Sequence, residues 1–112
     1  MQLPNSHKAV VEIQKIRDYS LNTNHPHPVG KHKARVFQSA LGITVADAEW
    51  LRERAFEVAT NGDAKLQSPS VFGDKYVIDS VLELGGLSAI VRFSWIIEFG
   101  TDFPRLTSCY VR

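Results

Sequence analysis

The sequence predicts an α+β domain, with N-terminal helices packed on a C-terminal antiparallel β-meander. Three observations carry this. Apolar residues recur at helical spacing as far as about Thr60, the pattern switches to alternation from Tyr76, and Gly85-Gly86 divides the alternating stretch as a tight hairpin turn does. With 112 residues, 44% of them hydrophobic, residues 1–112 have the length and apolar content of one domain with a single core.

The elements follow in order. Ala9, Val10 and Val11, after a polar start, read as a short extended lead-in. From Ile13 to about Leu21, Ile13, Ile16 and Ser20 share one side, while Glu12, Gln14, Lys15 and Asp18 are polar; this is a short amphipathic helix. Pro26, Pro28 and Gly30 break it into a loop over 22–30. A second helix is expected from about Lys31 to Leu41, stopped by Gly42. Thr44 and Asp47 form a capping arrangement for a third, reaching about Thr60 with Ala48, Leu51, Ala55, Val58 and Ala59 as its apolar stripe.

Three strands complete the domain. Tyr76, Ile78, Leu82 and Leu84 alternate with Val77, Asp79 and Glu83 in the first. The second sets Ala89, Val91, Phe93, Trp95, Ile97 and Phe99 on one face and Arg92, Ser94 and Glu98 on the other. The last, Arg105 to Arg112, puts Leu106, Ser108 and Tyr110 on one face, opposite Arg105, Thr107, Cys109 and Val111.

Bulk properties narrow the function. A formal net charge of +1 provides no global basic field, so any affinity for nucleic acid must come from local clustering. Cys109 is the single cysteine and no secretory leader opens the chain, which together suggest a cytoplasmic setting. The longest apolar run, near Ile96 and Ile97, is too short to span a bilayer, so no membrane is expected. There is no Gly-rich phosphate loop, Gly-x-Ser-x-Gly, zinc-protease motif or Cys-x-x-Cys; nucleotide hydrolases and redox enzymes are set aside, and no cofactor or metal is expected.

Local clustering occurs twice. His25, His27 and His32 stand beside Lys31, Lys33 and Arg35 in eleven residues, placing titratable nitrogens among fixed cations as general acid/base chemistry on a phosphodiester requires. On a helical wheel Ala34, Val36, Phe37, Ala40 and Leu41 define a buried arc, and Lys33 projects into its middle. Two readings stand there: a stem covering the core edge with its head in water, or an ammonium emerging over the sheet to hold a phosphate. Lys31 and Arg35 read as surface charges, His32 lies off the arc, and His25-Pro26-His27 lacks the further ligands of a zinc set. The second cluster is Arg105, Thr107, Ser108, Tyr110 and Arg112, whose hydroxyls and guanidinium can orient a phosphate, or else mark a half-exposed edge strand. Cys109 reads as a small buried residue rather than a nucleophile.

Leu3-Pro4-Asn5, Lys15-Ile16-Arg17-Asp18-Tyr19, Leu21-Asn22, His27-Pro28 with Gly30, Lys31 to Phe37, Leu41-Gly42, Tyr76, Trp95-Ile96 and Pro104 to Tyr110 together resemble a family of small bacterial domains of unknown function. Its members occur alone, sometimes beside a small antitoxin-like gene, and as C-terminal domains of large secreted or adhesin-like proteins, a context resembling that of a toxin module. The extra His25-Pro26 lengthens the loop before His27 relative to the family. Helices followed by a meander also resemble the ribonuclease fold of RelE, barnase, EndoU and the tRNase colicins, although fold alone does not fix function. The resemblance implies a RelE/barnase-like, metal-independent endoribonuclease in which the ribose 2′-hydroxyl attacks the adjacent phosphate. His27 or His32 is expected to move protons, Lys33 and Arg105 to hold the phosphate, and Thr107, Ser108 or Tyr110 to position it. The alternative is a non-catalytic RNA- or protein-binding module of a toxin–antitoxin-like pair. RNA, a small antitoxin protein and a second copy of the chain are the partners considered.

Overall fold

A computed structural model describes all 112 residues and bears out the α+β order, with helical segments first and an antiparallel sheet after them. The sheet has four strands rather than three: β1 (Lys65–Leu66), β2 (Gly73–Leu84), β3 (Leu87–Glu98) and β4 (Arg105–Val111), each antiparallel to the next. The added β1 is a two-residue edge pairing with Val77 and Tyr76, too short for alternation to mark it.

Gly85 and Gly86 both take positive φ, 58° and 82°, which a two-residue turn with the twist of the flanking strands requires. The turn fixes the register from Leu84 opposite Leu87 to Gly73 opposite Glu98. Tyr76, Ile78 and Leu82 of β2 thereby join Val91, Phe93 and Trp95 of β3 on the core face, as their alternation predicts. Phe99 lies beyond the strand and is exposed, so the apolar face of β3 ends at Ile97.

β4 departs from strict alternation. Trp95 pairs with Leu106 but Ser94 pairs with Ser108, leaving Thr107 as the extra residue of a β-bulge. Leu106 and Cys109, expected on opposite faces, are therefore both buried, opposite Trp95 and Phe93. The Thr107 hydroxyl donates to the Ser94 carbonyl at 3.1 Å, tying the bulge to β3.

Two long helices supply the other side of the core. α1 spans Pro28–Leu41, three residues earlier than expected, because Pro28 suits a first helical position where no backbone N–H is needed. Gly42 ends it as anticipated. α2 spans Ala48–Asn61, and its five expected stripe residues are all buried. Thr44 and Asp47 form the reciprocal cap, with a 3₁₀ turn over Val45–Asp47 set between it and α2. Phe37, Leu41, Leu51 and Ala55 pack with the inner faces of β2 to β4 in one cluster. Each large apolar side chain removed from water there contributes about 1.5–3 kcal/mol.

The segment expected as the first helix forms a π-helical turn over Lys15–Ser20, wider than an α-helix. Ile16 and Ser20 face inward as expected. The lead-in before it begins with a 3₁₀ turn over Ser6–Lys8 and then runs beside β4: Val10 N–H donates to the Pro104 carbonyl, and Leu106 N–H donates to that of Val10. This strap leaves the outer edge of β4 from Thr107 onward facing the π-turn and the start of α1. No helix is long and apolar enough to cross a membrane.

Candidate functional site

The start of α1, the π-turn and the bulged part of β4 enclose a cleft of about 650 Å³. It brings together residues from both clusters noted in the sequence: His27, Gly30 and Lys33 from the first, Thr107 and Ser108 from the second. The bulge is the physical reason that consecutive β4 residues line the cleft, since the extra residue re-aims the side chains that follow.

His27 is the N-cap of α1. Its Nδ1 accepts a hydrogen bond from the Val29 N–H at 3.2 Å, offsetting one orphan donor of the helix start. His25 repeats the arrangement, its Nδ1 accepting from the His27 N–H at 3.0 Å. An Nδ1 that accepts in this way carries no hydrogen, so the ring hydrogen lies on Nε2. Both rings therefore have an N–H donor as the nitrogen left for a ligand. The His25 ring also packs at 52° to the Tyr19 ring, with centroids 5.1 Å apart. Gly30 makes room for it: a Cβ there would stand 2.7 Å from His25 Nδ1.

Lys33 is half-buried, and its ammonium lies 4.4 Å from the centre of the Tyr110 ring, a cation–π contact. Because α1 starts at Pro28, Lys33 sits in the second turn rather than the first. The helix dipole, which disfavours a cation in the first turn, is weak at that depth. Lys33 thus joins the α1 wall of the cleft to the end of β4.

Arg105 stands apart. It does not line the cleft; its guanidinium binds Glu98 Oε1 at 3.0 Å from Nε and 2.5 Å from NH2. It also reaches Glu12 at 3.9 Å, and Glu12 does line the cleft. His32 and Arg35 are exposed on the helix away from the cleft, and Lys31 is half-buried outside it. Tyr110 meets the cleft only through Lys33.

Cys109 is 2% exposed at the floor of the cleft, and burial pushes its thiol up to about 11 despite the opposing hydrogen bond with Ser20. The thiol stays protonated at neutral pH and donates to Ser20 Oγ at 3.5 Å. Ser20 in turn donates to the Lys15 carbonyl at 3.3 Å, which ties β4 to the π-turn. No three His, Cys, Asp or Glu side chains gather as a metal-binding group.

Sequence reasoning missed Glu12, Lys15, Tyr19 and His25 as cleft residues. Glu12 and Lys15 read as polar positions beside an ordinary helix, and Lys15 and Tyr19 come to the cleft in a wider π-turn that packs against both β4 and α1. His25 stands out in the sequence by its spacing from His27, a pair that lacks the further ligands of a zinc set, but its hydrogen bond to the His27 N–H depends on the loop geometry.

No curated protein and no solved structure matches the chain. A family model described as a domain of unknown function (DUF6883) matches residues 2–112, nearly the whole chain including every residue of the cleft. The chain belongs to that family.

Proposed function

We propose that the cleft binds the phosphodiester backbone of RNA and cleaves it without a metal, by attack of the 2′-hydroxyl on the adjacent phosphorus. The observation that carries this reading is the meeting of a carboxylate, two lysines, two imidazoles and two β4 hydroxyls in one cleft. Glu12, the acidic side chain there, takes the proton of the 2′-hydroxyl. The 2′-oxygen bonds to phosphorus, the bond to O5′ breaks, and an ammonium proton of Lys33 goes to the departing O5′. The products are a 2′,3′-cyclic phosphate and a 5′-hydroxyl.

Lys15, the Nε2–H groups of His25 and His27, and the Ser108 hydroxyl hold the non-bridging oxygens as negative charge grows on them, while Thr107, whose hydroxyl donates to Ser94, fixes the bulge that presents Ser108. Arg105, neutralised by Glu98, acts one step away by orienting Glu12. Tyr110 orients Lys33. The order of helices and antiparallel sheet supports the reading through its resemblance to the RelE and barnase ribonucleases, with a toxin role and an antitoxin partner as its biological setting.

Incubating the protein with total RNA in chelator tests the proposal. Cleavage leaving cyclic phosphate ends is expected, and Glu12→Gln and Lys33→Ala are each expected to lower it by at least about 100-fold, the scale of one lost proton-transfer group. Binding of RNA by well-folded protein without any cleavage selects the non-catalytic module instead.

A further inference from the structure

We infer that the substrate is single-stranded RNA, and that Tyr19 is the platform on which the base beside the scissile phosphate stacks. The inference rests on the ribonuclease reading for its chemistry and on separate geometry for the platform. Attack by the 2′-oxygen requires it to stand in line with the bond to O5′, an arrangement that an A-form duplex does not offer. A nucleotide that reaches it must leave the helical stack, and its base then needs another surface. Unpaired bases commonly find that surface on aromatic side chains, because every base has a π-face.

Tyr19 has the properties of such a surface. It lines the cleft yet is 61% exposed, in a turn whose other exposed residues, Arg17 and Asp18, are charged. One side of its ring is braced by His25 at 5.1 Å, and that ring is itself fixed by the His27 N–H. Lys15, one turn earlier in the same π-helical segment, lines the cleft as well, so a phosphate at Lys15 has its base within reach of Tyr19. The platform selects by stacking rather than by hydrogen bonds to base edges, so the preference is for unpaired RNA over duplex with only modest discrimination among bases.

The test measures binding apart from cleavage. A fluorescein-labelled 2′-O-methyl RNA, which lacks the attacking hydroxyl, is titrated by anisotropy as a single strand and as its annealed duplex. The single strand is expected to bind at least about tenfold more tightly than the duplex. Tyr19→Phe is expected to keep that affinity, and Tyr19→Ala to weaken it by about tenfold, the scale of one lost base–aromatic stack. Equal binding of duplex and single strand, or unchanged binding by Tyr19→Ala, overturns the inference. Because Tyr19 is exposed, thermal melting of the variant is expected to match that of the parent and so separates lost contact from lost fold. Cleavage of unmodified RNA that is indifferent to Tyr19→Ala sinks the platform and leaves the ribonuclease; the expected binding pattern without cleavage sinks the ribonuclease and leaves the platform.

Discussion

The Lys33 ammonium stands 4.4 Å from the centre of the Tyr110 ring, joining the second turn of α1 to the end of β4. A flexible lysine is thereby held at one wall of the cleft by the face of an aromatic ring, a contact contributing about 0.5–1 kcal/mol at a partly exposed site. Tyr110→Phe keeps the face and is expected to leave turnover near that of the parent. Tyr110→Leu removes it and is expected to lower kcat several-fold, with stability falling by about the 0.5–1 kcal/mol of the contact. Steady-state cleavage of an RNA oligonucleotide checks both, and equal loss in the two variants would assign the role to the phenol hydroxyl instead.

His27 combines a structural duty with its place in the cleft, and substitutions separate the two. Its Nδ1 caps α1 through Val29, so His27→Ala is expected to cost roughly 1 kcal/mol and lower Tm by about 4 °C. Asparagine is a strong N-cap but lacks the distal ring nitrogen. His27→Asn is therefore expected to melt with the parent while losing at least tenfold in cleavage. Thermal melts alongside activity measurements decide it; full activity in His27→Asn would show that only the cap matters.

Much of this fold was legible because period alone distinguishes helix from strand over long segments. The stripe of α2 and the alternation of β2 and β3 each place five or more residues in agreement, and the Gly85-Gly86 turn sets their register. The misplacements share a different cause. The Thr107 bulge depends on pairing with β3, which local alternation cannot register, and it brought Leu106 and Cys109, assigned to opposite faces, to the same one. Half the cleft was legible in the same sense: His27, Lys33, Thr107 and Ser108 stand out by residue type, whereas Glu12, Lys15 and Tyr19 gain their meaning only when the π-turn packs on β4. Arg105 was conspicuous as a cation, but the Glu98 that neutralises it comes from the neighbouring strand.

Gly30 provides a way to disturb the site without disturbing the fold. Alanine is a better helix former than glycine by up to about 1 kcal/mol, and Gly30 lies in the first turn of α1. Its Cβ would nonetheless meet the His25 ring at 2.7–3.0 Å and push the ring off its seat beside Tyr19. Gly30→Ala is expected to melt at or above the parent temperature, yet to bind single-stranded RNA several-fold more weakly. Unchanged binding would mean that the position of His25 is immaterial to the cleft.

Beside Tyr110, Asp79 of β2, Arg92 of β3 and Arg112 form an ion-pair network, and its pH dependence has a definite sign. Asp79 receives two hydrogen bonds from Arg92, at 2.9 and 3.0 Å, and one from Arg112 at 2.7 Å. The hydrogen bond from Arg92 is the main cause holding the Asp79 carboxyl below its ordinary value, with Arg112 assisting against desolvation; in return Asp79 raises the Arg92 guanidinium. A carboxyl with a depressed folded-state pKa binds its proton more readily when unfolded. Its contribution is therefore complete above the unfolded value of about 3.9 and is lost as pH falls through the lower folded value. As the groups are partly exposed, the network contributes about 1 kcal/mol. Asp79→Asn is expected to lower stability by that amount at neutral pH and to converge on the parent once pH has fallen through the depressed folded value, where both chains lack the charge. Urea unfolding from neutral pH into acid measures the gap; a gap that stays constant into strong acid would assign the loss to packing rather than to charge.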